Sequence, residues 1–452
     1  MSRITLAQAA QWCGGTVEPE FENVSFFGAN NDSRKIQPGQ LFLALEGVRD
    51  GHDFIPQAIS SGAAAVLCSK PQPGVPAIVV NDTKKALGDI ARGERERLGI
   101  KVVGITGSVG KSTTKEMVAA ILSRKYRTGK TPVNHNNDIG MPMAILALPE
   151  DTQVAVLEMG MNHFKEMGYL SSIAKPDIAV ITNIGTMHIE HLGSREGILQ
   201  AKMEILEGLK PGGKLVFNGD EPLLWSRRET CPTEPWYFGM ENPLCQVYAD
   251  DVKLENGHTM FTVHTANLNF GINLSVEGIH FVSDALAAIA VGKLLDVPAE
   301  EMWSSLREFQ NMEGRQEVLE VNGFTIIKDC YNAGPESMVA SLKVLGRREG
   351  RRIAVLGDML ELGVCAQAEH YRVGRIAACN CDLLFVVGDN ADRVVSGAFT
   401  GGMGPNEAKA FETREDLAKS LKNRAKPGDT LLFKGSRGMK MEQALELFLE
   451  ER

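Results

Sequence analysis

Short apolar runs separated by turn signals and amphipathic stretches divide the chain into three α/β units. In the first unit, residues 41–45 follow a Pro-Gly turn and predict a strand. Residues 54–62 predict a helix and residues 63–68 predict the next strand. The pattern indicates a small α/β domain over residues 1–84.

The second unit begins near residue 100 with residues 101–106, whose composition is typical of a buried strand. A Gly-rich turn follows, and residues 111–126 then place apolar side chains on one helical face. Further apolar runs are typical of central parallel strands: 153–157, 177–182 and 214–217. The alternation of strands and helices predicts a doubly wound parallel sheet over residues 85–312.

The alternation of strands and helices restarts after residue 312. Four strands are predicted, each followed by a polar or glycine-bearing segment: 324–327, 352–356, 383–387 and 430–433. We expect a Rossmann-like domain over residues 313–452, whose ligands bind beyond the carboxyl ends of these strands. Residues 311–315 are the predicted hinge to the second unit. The fold class is therefore α/β with three domains.

Composition excludes several classes of protein. The chain has 452 residues, of which 43% are hydrophobic and 23% charged, as in ordinary globular proteins. Its formal net charge of −9 gives no field that would attract nucleic acid or an anionic membrane. We see no signal peptide and no apolar run of about 18 residues, the length of a membrane span. Eight cysteines without a CxxC pair are expected to be reduced thiols in a cytoplasmic protein.

The strongest motif is Thr-Gly-Ser-Val-Gly-Lys-Ser-Thr at residues 106–113, between a predicted strand and a predicted helix. Its glycines let backbone N–H groups converge on phosphate oxygens at a helix N-terminus. In such a loop Lys111 reaches the β- and γ-phosphates of ATP, and the Ser112 hydroxyl ligates Mg²⁺. The general pattern puts its first glycine at position 105, which is Ile105 here, so a turn that uses glycines for geometry alone is the alternative. The predicted nucleotide-binding residues are Thr106, Gly107, Ser108, Val109, Gly110, Lys111, Ser112 and Thr113.

Glu158 ends a buried strand after this loop, which is where a Mg²⁺ ligand belongs. A surface strand cap is the alternative for this glutamate. The chain carries neither an Asn-Lys-x-Asp guanine-reading motif nor a kinase catalytic loop. A GTPase switch and a protein kinase are therefore disfavoured.

Three further segments follow the phosphate loop in order: Asn-His-Asn-Asn-Asp-Ile-Gly at 134–140, residues 182–194, and Ala-Lys-Met-Glu-Ile at 201–205. With the loop, they resemble the central domain of the Mur ligases and folylpolyglutamate synthases. The resemblance implies an ATP- and Mg²⁺-dependent amide ligase. Such an enzyme phosphorylates a substrate carboxylate, and an amine then displaces the phosphate.

The resemblance also implies residue roles. Lys111, His188 and Lys202 would be catalytic, and Lys202 would be a carbamate. Metal ligands would be Ser112, Glu158, His188 and the Lys202 carbamate. The alternatives are an ordinary Lys202 paired with Glu204 or another acid, and a solvated or structural His188. Further ATP contacts would be Asn136, Asn137, His280, Arg315, Asp329 and Asn332. The chain departs from the family pattern at Phe281 and Asp284, which replace asparagines.

Near the N-terminus, residues 30–35, 38–42 and 50–54 resemble the UDP-binding domain of two Mur ligases. These two add the third residue and the terminal dipeptide of the stem peptide. The resemblance of these segments to that domain implies UDP-substrate contacts at Ser33, Arg34, Arg49, Asp50 and His52. For each arginine, an ordinary surface position is the alternative.

C-terminal motifs at residues 329–335, 357–363 and 434–437 resemble the branch that adds D-alanyl-D-alanine to UDP-N-acetylmuramoyl tripeptide. The Asp-Asn-Pro-Arg motif of the diamino-acid-adding branch is missing from the sequence. We therefore expect these two molecules as substrates, in a monomer without nucleic-acid or membrane partners. A diamino-acid-adding ligase and a non-catalytic UDP-sugar-binding relative stay open as alternatives.

Overall fold

Four β-sheets carry the fold within residues 3–255 and 257–450, the part of the chain that the computed structural model describes. The N-terminal part has an antiparallel pair, β1–β2, and a parallel sheet in the order β3-β4-β5-β6. Its elements are β1 (Ile4–Thr5), α1 (Leu6–Cys13), β2 (Ser25–Phe26), β3 (Ala29–Asn30), β4 (Leu41–Leu43), α2 (Ile55–Ser60), β5 (Ala65–Cys68), β6 (Ala77–Val79) and α3 (Thr83–Leu98).

A nine-stranded sheet forms the centre, in the order β15-β14-β13-β12-β11-β10-β7-β9-β8. Its strands are β7 (Lys101–Thr106), β8 (Thr128–Lys130), β9 (Val154–Glu158), β10 (Ile178–Ile181), β11 (Lys214–Asn218), β12 (Trp236–Gly239), β13 (Val247–Glu255), β14 (His258–Thr265) and β15 (Leu268–Leu274). Its helices are α4 (Lys111–Leu122), α5 (Gly140–Leu146), α6 (Glu166–Ala174), α7 (Ile189–Leu192), α8 (Arg195–Met203), α9 (Pro222–Trp225), α10 (Ile279–Leu294) and α11 (Ala299–Arg307). The strands from β13 to β8 pair in parallel, which confirms the predicted doubly wound sheet.

The C-terminal sheet has the order β16-β17-β21-β18-β19-β20, with β16 antiparallel and the others parallel. Its elements are β16 (Glu317–Val321), β17 (Phe324–Asp329), α12 (Pro335–Gly346), β18 (Arg352–Gly357), α13 (Ala366–Ala378), β19 (Leu383–Val387), α14 (Ala391–Thr400), β20 (Ala408–Phe411), α15 (Arg414–Arg424), β21 (Thr430–Lys434) and α16 (Met441–Leu449). The predicted Rossmann-like arrangement is confirmed, and the two edge strands β16 and β20 are additions to it.

Alternation along the central strands builds two cores on opposite faces of the sheet. Val103 and Ile105 of β7 face a core that α4 and α10 cover. Val102 faces the other core, which also takes in Leu41 and Leu43 of the N-terminal sheet. The first two parts of the chain therefore share one continuous core.

Helix α3 packs against α1 of the N-terminal part and against α5 and α6 of the centre. The predicted boundary after residue 84 falls in the first turn of this helix. The bounds 1–84, 85–312 and 313–452 stay predictions. Within the described residues, no helix has both the length and the apolar character needed to cross a lipid bilayer. All eight cysteines are free thiols.

Candidate active site

The phosphate loop (residues 106–113) joins the end of β7 to the start of α4 and depends on two glycines. Gly107 has φ 152° and Gly110 has φ 83°, a region that residues with a Cβ rarely adopt. A Cβ on Gly107 would lie 1.8 Å from Thr182 Oγ1, and one on Gly110 would lie 2.4 Å from Asp284 Oδ1. Both positions therefore require glycine for conformation and for space.

Residues after β10 hold this loop in shape. Asn183 Oδ1 accepts hydrogen bonds from the backbone N–H groups of Ser108 and Val109, each 3.0 Å long. Thr182 Oγ1 donates to the Val109 carbonyl over 2.6 Å, and the Gly185 N–H donates to Ser108 Oγ over 2.9 Å. The segment 182–185, which the sequence marked only as a family match, is thus the support of the phosphate loop.

Lys111 follows the loop and points back over it. Its ammonium donates to the carbonyls of Gly107 and Ser108, over 2.7 and 3.1 Å. Burial lowers the pKa of this ammonium to about 8, against the opposing effect of the Glu158 charge. The cation therefore stands where a phosphate group on the loop would meet it.

Glu158 ends β9 inside the protein, with only 3% of its surface exposed, so the alternative of a surface strand cap is wrong. Ser112 Oγ donates to its Oε2 over 2.7 Å, and Asn136 Nδ2 donates to its Oε1 over 3.0 Å. Among the described residues, no group of three His, Cys, Asp or Glu side chains could hold a metal ion. The hydroxyl and carboxylate oxygens of Ser112 and Glu158 nevertheless fit Mg²⁺, which takes few protein ligands when phosphates supply the others.

The third part of the chain reaches into this site through Arg315. Its NH2 donates to Ser112 Oγ over 2.7 Å, and its guanidinium lies 3.8 Å from the centre of the Tyr331 ring. The Tyr331 hydroxyl hydrogen-bonds Asn134 of the loop before α5. The Tyr331 ring therefore holds Arg315 against the phosphate loop.

A buried ion pair lies behind these residues. Lys434 Nζ is 2.6 Å from Asp329 Oδ2, and Ser341 Oγ donates to the same oxygen over 2.5 Å. Lys434 Nζ also donates to the carbonyl of Asn332 over 3.2 Å. The carboxyl ends of β17 and β21 thus both lie at the cavity, as expected for neighbouring parallel strands of one sheet.

Two contacts between the central and C-terminal parts were missed by sequence reasoning. Glu336 Oε1 accepts hydrogen bonds from Thr186, over 2.9 Å from the backbone N–H and 3.0 Å from the hydroxyl. His188 Nδ1 hydrogen-bonds Glu361 Oε2, and this bond is the main cause of the lowered pKa of Glu361. Neither pair could be recognised from a local motif, because the partners are 150 and 173 residues apart in the chain.

A cavity of about 560 Å³ lies between these elements, a size typical of ligand sites. Most predicted catalytic, metal-binding and ATP-binding residues line it: Ser108, Val109, Gly110, Lys111, Ser112, Thr113, Asn136, Asn137, Glu158, His188, His280, Arg315, Asp329 and Asn332. Three predicted residues, Thr106, Gly107 and Lys202, do not line it.

Lys202 on α8 is a buried amine with 2% of its surface exposed. Within the described ranges, its ammonium forms neither a hydrogen bond nor an ion pair. The Glu204 carboxylate instead accepts from the backbone N–H groups of Lys165 and Gly168, so the alternative of a Lys202–Glu204 pair is wrong. Burial, with a smaller effect from the charge of Lys111, holds the pKa of Lys202 well below its ordinary value.

Two titratable groups on α10 also line the cavity. Burial lowers the pKa of His280 to about 4, so the imidazole is neutral at pH 7. Burial raises the pKa of Asp284 to about 7, although the Thr114 hydroxyl donates to Asp284 Oδ1 over 2.8 Å. The departure from the family pattern at Asp284 thus places an ionisable group beside the phosphate loop.

The five predicted UDP contacts lie away from this cavity. Ser33 Oγ donates to Gln57 Oε1 over 2.8 Å, and Arg34 pairs with Asp32 through two hydrogen bonds of 2.9 Å. Asp50 accepts from Lys70 over 2.5 Å and lies 2.6 Å from His52 Nδ1, while Arg49 is exposed. Their contact with a UDP group stays a prediction.

A glycine-rich phosphate loop on a parallel sheet, closed by an arginine from a facing α/β domain, defines a nucleotide-dependent P-loop enzyme. Three family models match the chain: "Mur ligase family, catalytic domain" over residues 27–95, "Mur ligase middle domain" over 105–292 and "Mur ligase, glutamate ligase domain" over 314–437. The chain belongs to the Mur ligase family.

Similar proteins extend over the whole chain. A UDP-N-acetylmuramoyl-tripeptide–D-alanyl-D-alanine ligase from Bacillus subtilis is 39% identical, with 100% of this chain and 99% of the relative covered. The crystal structure of MurF from Acinetobacter baumannii matches with a TM-score of 0.91 at 33% identity, covering 100% of both chains. MurF ligase from Thermotoga maritima in complex with ADP matches with a TM-score of 0.82 at 30% identity, covering 94% of this chain and 97% of that chain.

Proposed function

We propose that this chain is an ATP-dependent amide ligase that joins D-alanyl-D-alanine to UDP-N-acetylmuramoyl tripeptide in the synthesis of peptidoglycan precursors. The contact between Arg315 and Ser112 carries the proposal on the structural side, because it brings a cation from the third part of the chain onto the phosphate loop. Similarity over the full length to ligases that bear this substrate in their names supports the choice of substrates.

The chemistry explains why the site collects cations. A carboxylate is a poor acyl donor, and transfer of the γ-phosphoryl group of ATP gives it a good leaving group. The amine of the dipeptide then attacks the acyl phosphate, forms the amide bond and releases phosphate. Negative charge on the transferring group is met by preorganised donors, here Lys111 and Arg315.

Ser112 and Glu158 would hold Mg²⁺, together with His188, which lines the same cavity. When bound there, Mg²⁺ supplies positive charge that offsets the charge of the ATP phosphates. The Asn136 amide would keep the Glu158 carboxylate oriented, since it donates to the oxygen that Ser112 does not use.

Lys202 would act as a carbamate. Its amine adds to carbon dioxide, a proton leaves, and the resulting N-carboxylate carries one negative charge. Burial and the neighbouring Lys111 charge favour the neutral amine that this addition needs. The product would add an anionic oxygen ligand for a second Mg²⁺.

The N-terminal part would bind the UDP group through Ser33, Arg34, Arg49, Asp50 and His52. We propose a single chain as the active unit. Eight free cysteines fit a protein of the reducing cytoplasm, where ATP and nucleotide sugars are available.

Phosphate release from ATP and Mg²⁺ in the presence of UDP-N-acetylmuramoyl tripeptide tests the proposal, measured with and without D-alanyl-D-alanine. Release that depends on the dipeptide, with the pentapeptide mass in the product, is the expected result. Release with a free diamino acid and the UDP-dipeptide would instead identify the diamino-acid-adding ligase. No turnover with either pair would point to a non-catalytic UDP-sugar-binding protein.

A further inference from the structure

Lys115 is a fully buried cation one turn after Lys111 on α4, and the reaction described above gives it no task. Its side chain is 0% exposed. Its ammonium donates to the backbone carbonyl of Thr131 over 2.8 Å and lies 3.1 Å from Glu116 Oε1. It also lies 4.0 Å from Glu158 Oε2, the oxygen that accepts from Ser112.

Thr131 connects this lysine to Glu158 a second time. Its Oγ1 accepts the backbone N–H of Glu158 over 2.9 Å, and its own N–H donates to the Val156 carbonyl over 3.1 Å. Thr131 is itself 0% exposed. Lys115 therefore holds Thr131 in place, and Thr131 in turn holds the backbone at the end of β9.

The chain after Thr131 leads to the other partner of Glu158. Asn136 donates its side-chain amide to Glu158 Oε1 over 3.0 Å and accepts the Gly160 N–H at its carbonyl over 2.7 Å. The loop that carries Asn136 thus starts at the carbonyl held by Lys115. The Lys115 ammonium therefore supports both the backbone position of Glu158 and the orientation of its carboxylate.

We propose that Lys115 is a positioning residue that holds Glu158, through Thr131 and by its own charge, in the place from which the carboxylate takes Mg²⁺. The inference rests on the proposed function only in so far as Glu158 is the metal ligand. A lysine that merely pairs with Glu116 and anchors α4 to the Thr131 carbonyl would leave the metal requirement of the enzyme unchanged.

Lys115→Met is the principal test, because methionine fills a similar buried volume and removes only the ammonium. Calorimetric titration of MgADP, at a series of Mg²⁺ concentrations, measures the metal requirement without either peptide substrate. We expect the Mg²⁺ concentration for half-maximal nucleotide binding to rise about tenfold or more, as when partners that orient a metal ligand are removed. In turnover, kcat should fall while KM for the dipeptide stays near the wild-type value.

Lys125→Met is the matched control. Lys125 also donates to a backbone carbonyl, that of Asp296 over 2.7 Å, but it is exposed and lies three residues beyond the C-terminal end of α4, with no contact to Glu158. Its variant should keep the wild-type Mg²⁺ requirement. A K115M protein with an unchanged Mg²⁺ requirement, alongside wild-type protein that binds MgADP, would overturn the inference and leave the proposed function standing. Wild-type protein that binds no MgADP would overturn both.

Thr131→Val decides the question if K115M does not fold. This variant keeps the carbonyl that Lys115 binds and removes the hydroxyl that accepts from Glu158. We expect a rise in the Mg²⁺ requirement in the same direction and of smaller size. A folded T131V protein with the wild-type Mg²⁺ requirement would show that the network does not position Glu158.

Discussion

Arg315 donates a hydrogen bond of 2.7 Å to the hydroxyl of Ser112, although 203 residues separate the two along the chain. The bond joins the predicted hinge segment, residues 311–315, to the first turn of the helix that follows the phosphate loop. The Tyr331 ring, 3.8 Å from the guanidinium carbon, holds the arginine in this place. The position of the third domain therefore decides whether the phosphate site has its full set of cations.

Substitution of Arg315 by lysine should lower kcat about a hundredfold, the effect typical of losing one preorganised donor to a transition state. Lysine keeps the charge but lacks the planar fork that stacks on Tyr331 while it reaches Ser112. Steady-state phosphate release measures the change. Arg372→Lys is the control, since Arg372 pairs with Glu369 on the surface of α13. Wild-type turnover by R315K would mean that charge alone suffices.

Lys111→Ala should abolish ligation and leave binding of the UDP-sugar intact. The substitution removes the cation over the phosphate loop, whereas the predicted UDP contacts lie outside the cavity. Phosphate release and a direct titration with UDP-N-acetylmuramoyl tripeptide measure the two properties on one preparation. Persistent ligation would show that the assignment of the phosphate loop is wrong.

Lys202→Ala should lower activity about a hundredfold, because an anionic metal ligand is lost. Added acetate should restore part of it by placing a small carboxylate in the space left by the side chain. Wild-type protein equilibrated with ¹³C-bicarbonate should show a carbamate carbon signal that K202A lacks. Lys419→Ala, at an exposed position of α15, is the control. A wild-type spectrum without that signal would count against the modification.

Asp284→Asn should become more stable, relative to the wild-type protein, as pH rises. The pKa of Asp284 is about 7 in the folded protein and near 3.8 in an ordinary setting, so between these values the folded state binds the extra proton. The contribution of this group to the free energy of unfolding therefore decreases as the pH rises from about 4 to about 7, and it stays constant at higher pH. Urea denaturation of both proteins at pH 5 and pH 8.5 measures the difference. An equal gap between them at the two pH values would contradict the prediction.

Glu336→Ala should favour the open arrangement of the second and third domains. It removes two hydrogen bonds from Thr186 to a carboxylate, and one such bond contributes about 1.5–3 kcal/mol, or roughly tenfold or more in an equilibrium. Small-angle scattering with ATP and both substrates should show compaction of the wild-type protein and weaker compaction of E336A. Glu349→Ala is the control, because Glu349 is exposed in the same domain. Equal compaction of all three proteins would contradict a role for this contact.

Buried parallel strands could be predicted from sequence because their apolar runs are continuous. The prediction of a strand at residues 383–387 matches β19 (Leu383–Val387), all of it buried. The antiparallel strands β13, β14 and β15 went unpredicted. Their buried and exposed positions alternate, and polar residues such as Asp250 and Asp251 interrupt the apolar pattern. A half-exposed strand at the edge of a sheet carries too little apolar signal to stand out.

In the site, too, local motifs could be predicted from the sequence, whereas contacts between distant residues could not. The phosphate loop is local in sequence, so its motif predicted the residues that line the cavity around Lys111 and Ser112. The roles of Thr131 and Glu336 could not be predicted, because each depends on a partner brought close only by the fold. The environment of Asp50 could not be predicted either: the structure shows it bound to Lys70 and His52.

The core shared by Leu41, Leu43 and Val102 has a mechanical consequence. Because one apolar core joins the N-terminal sheet and the central sheet, we expect the two sheets to move together, with the predicted hinge at residues 311–315 as the place where the chain bends. A fragment ending at residue 84 would expose the apolar side chains of Leu41 and Leu43 to water, and we expect it to aggregate. We therefore expect the three units of the sequence to behave as two moving bodies.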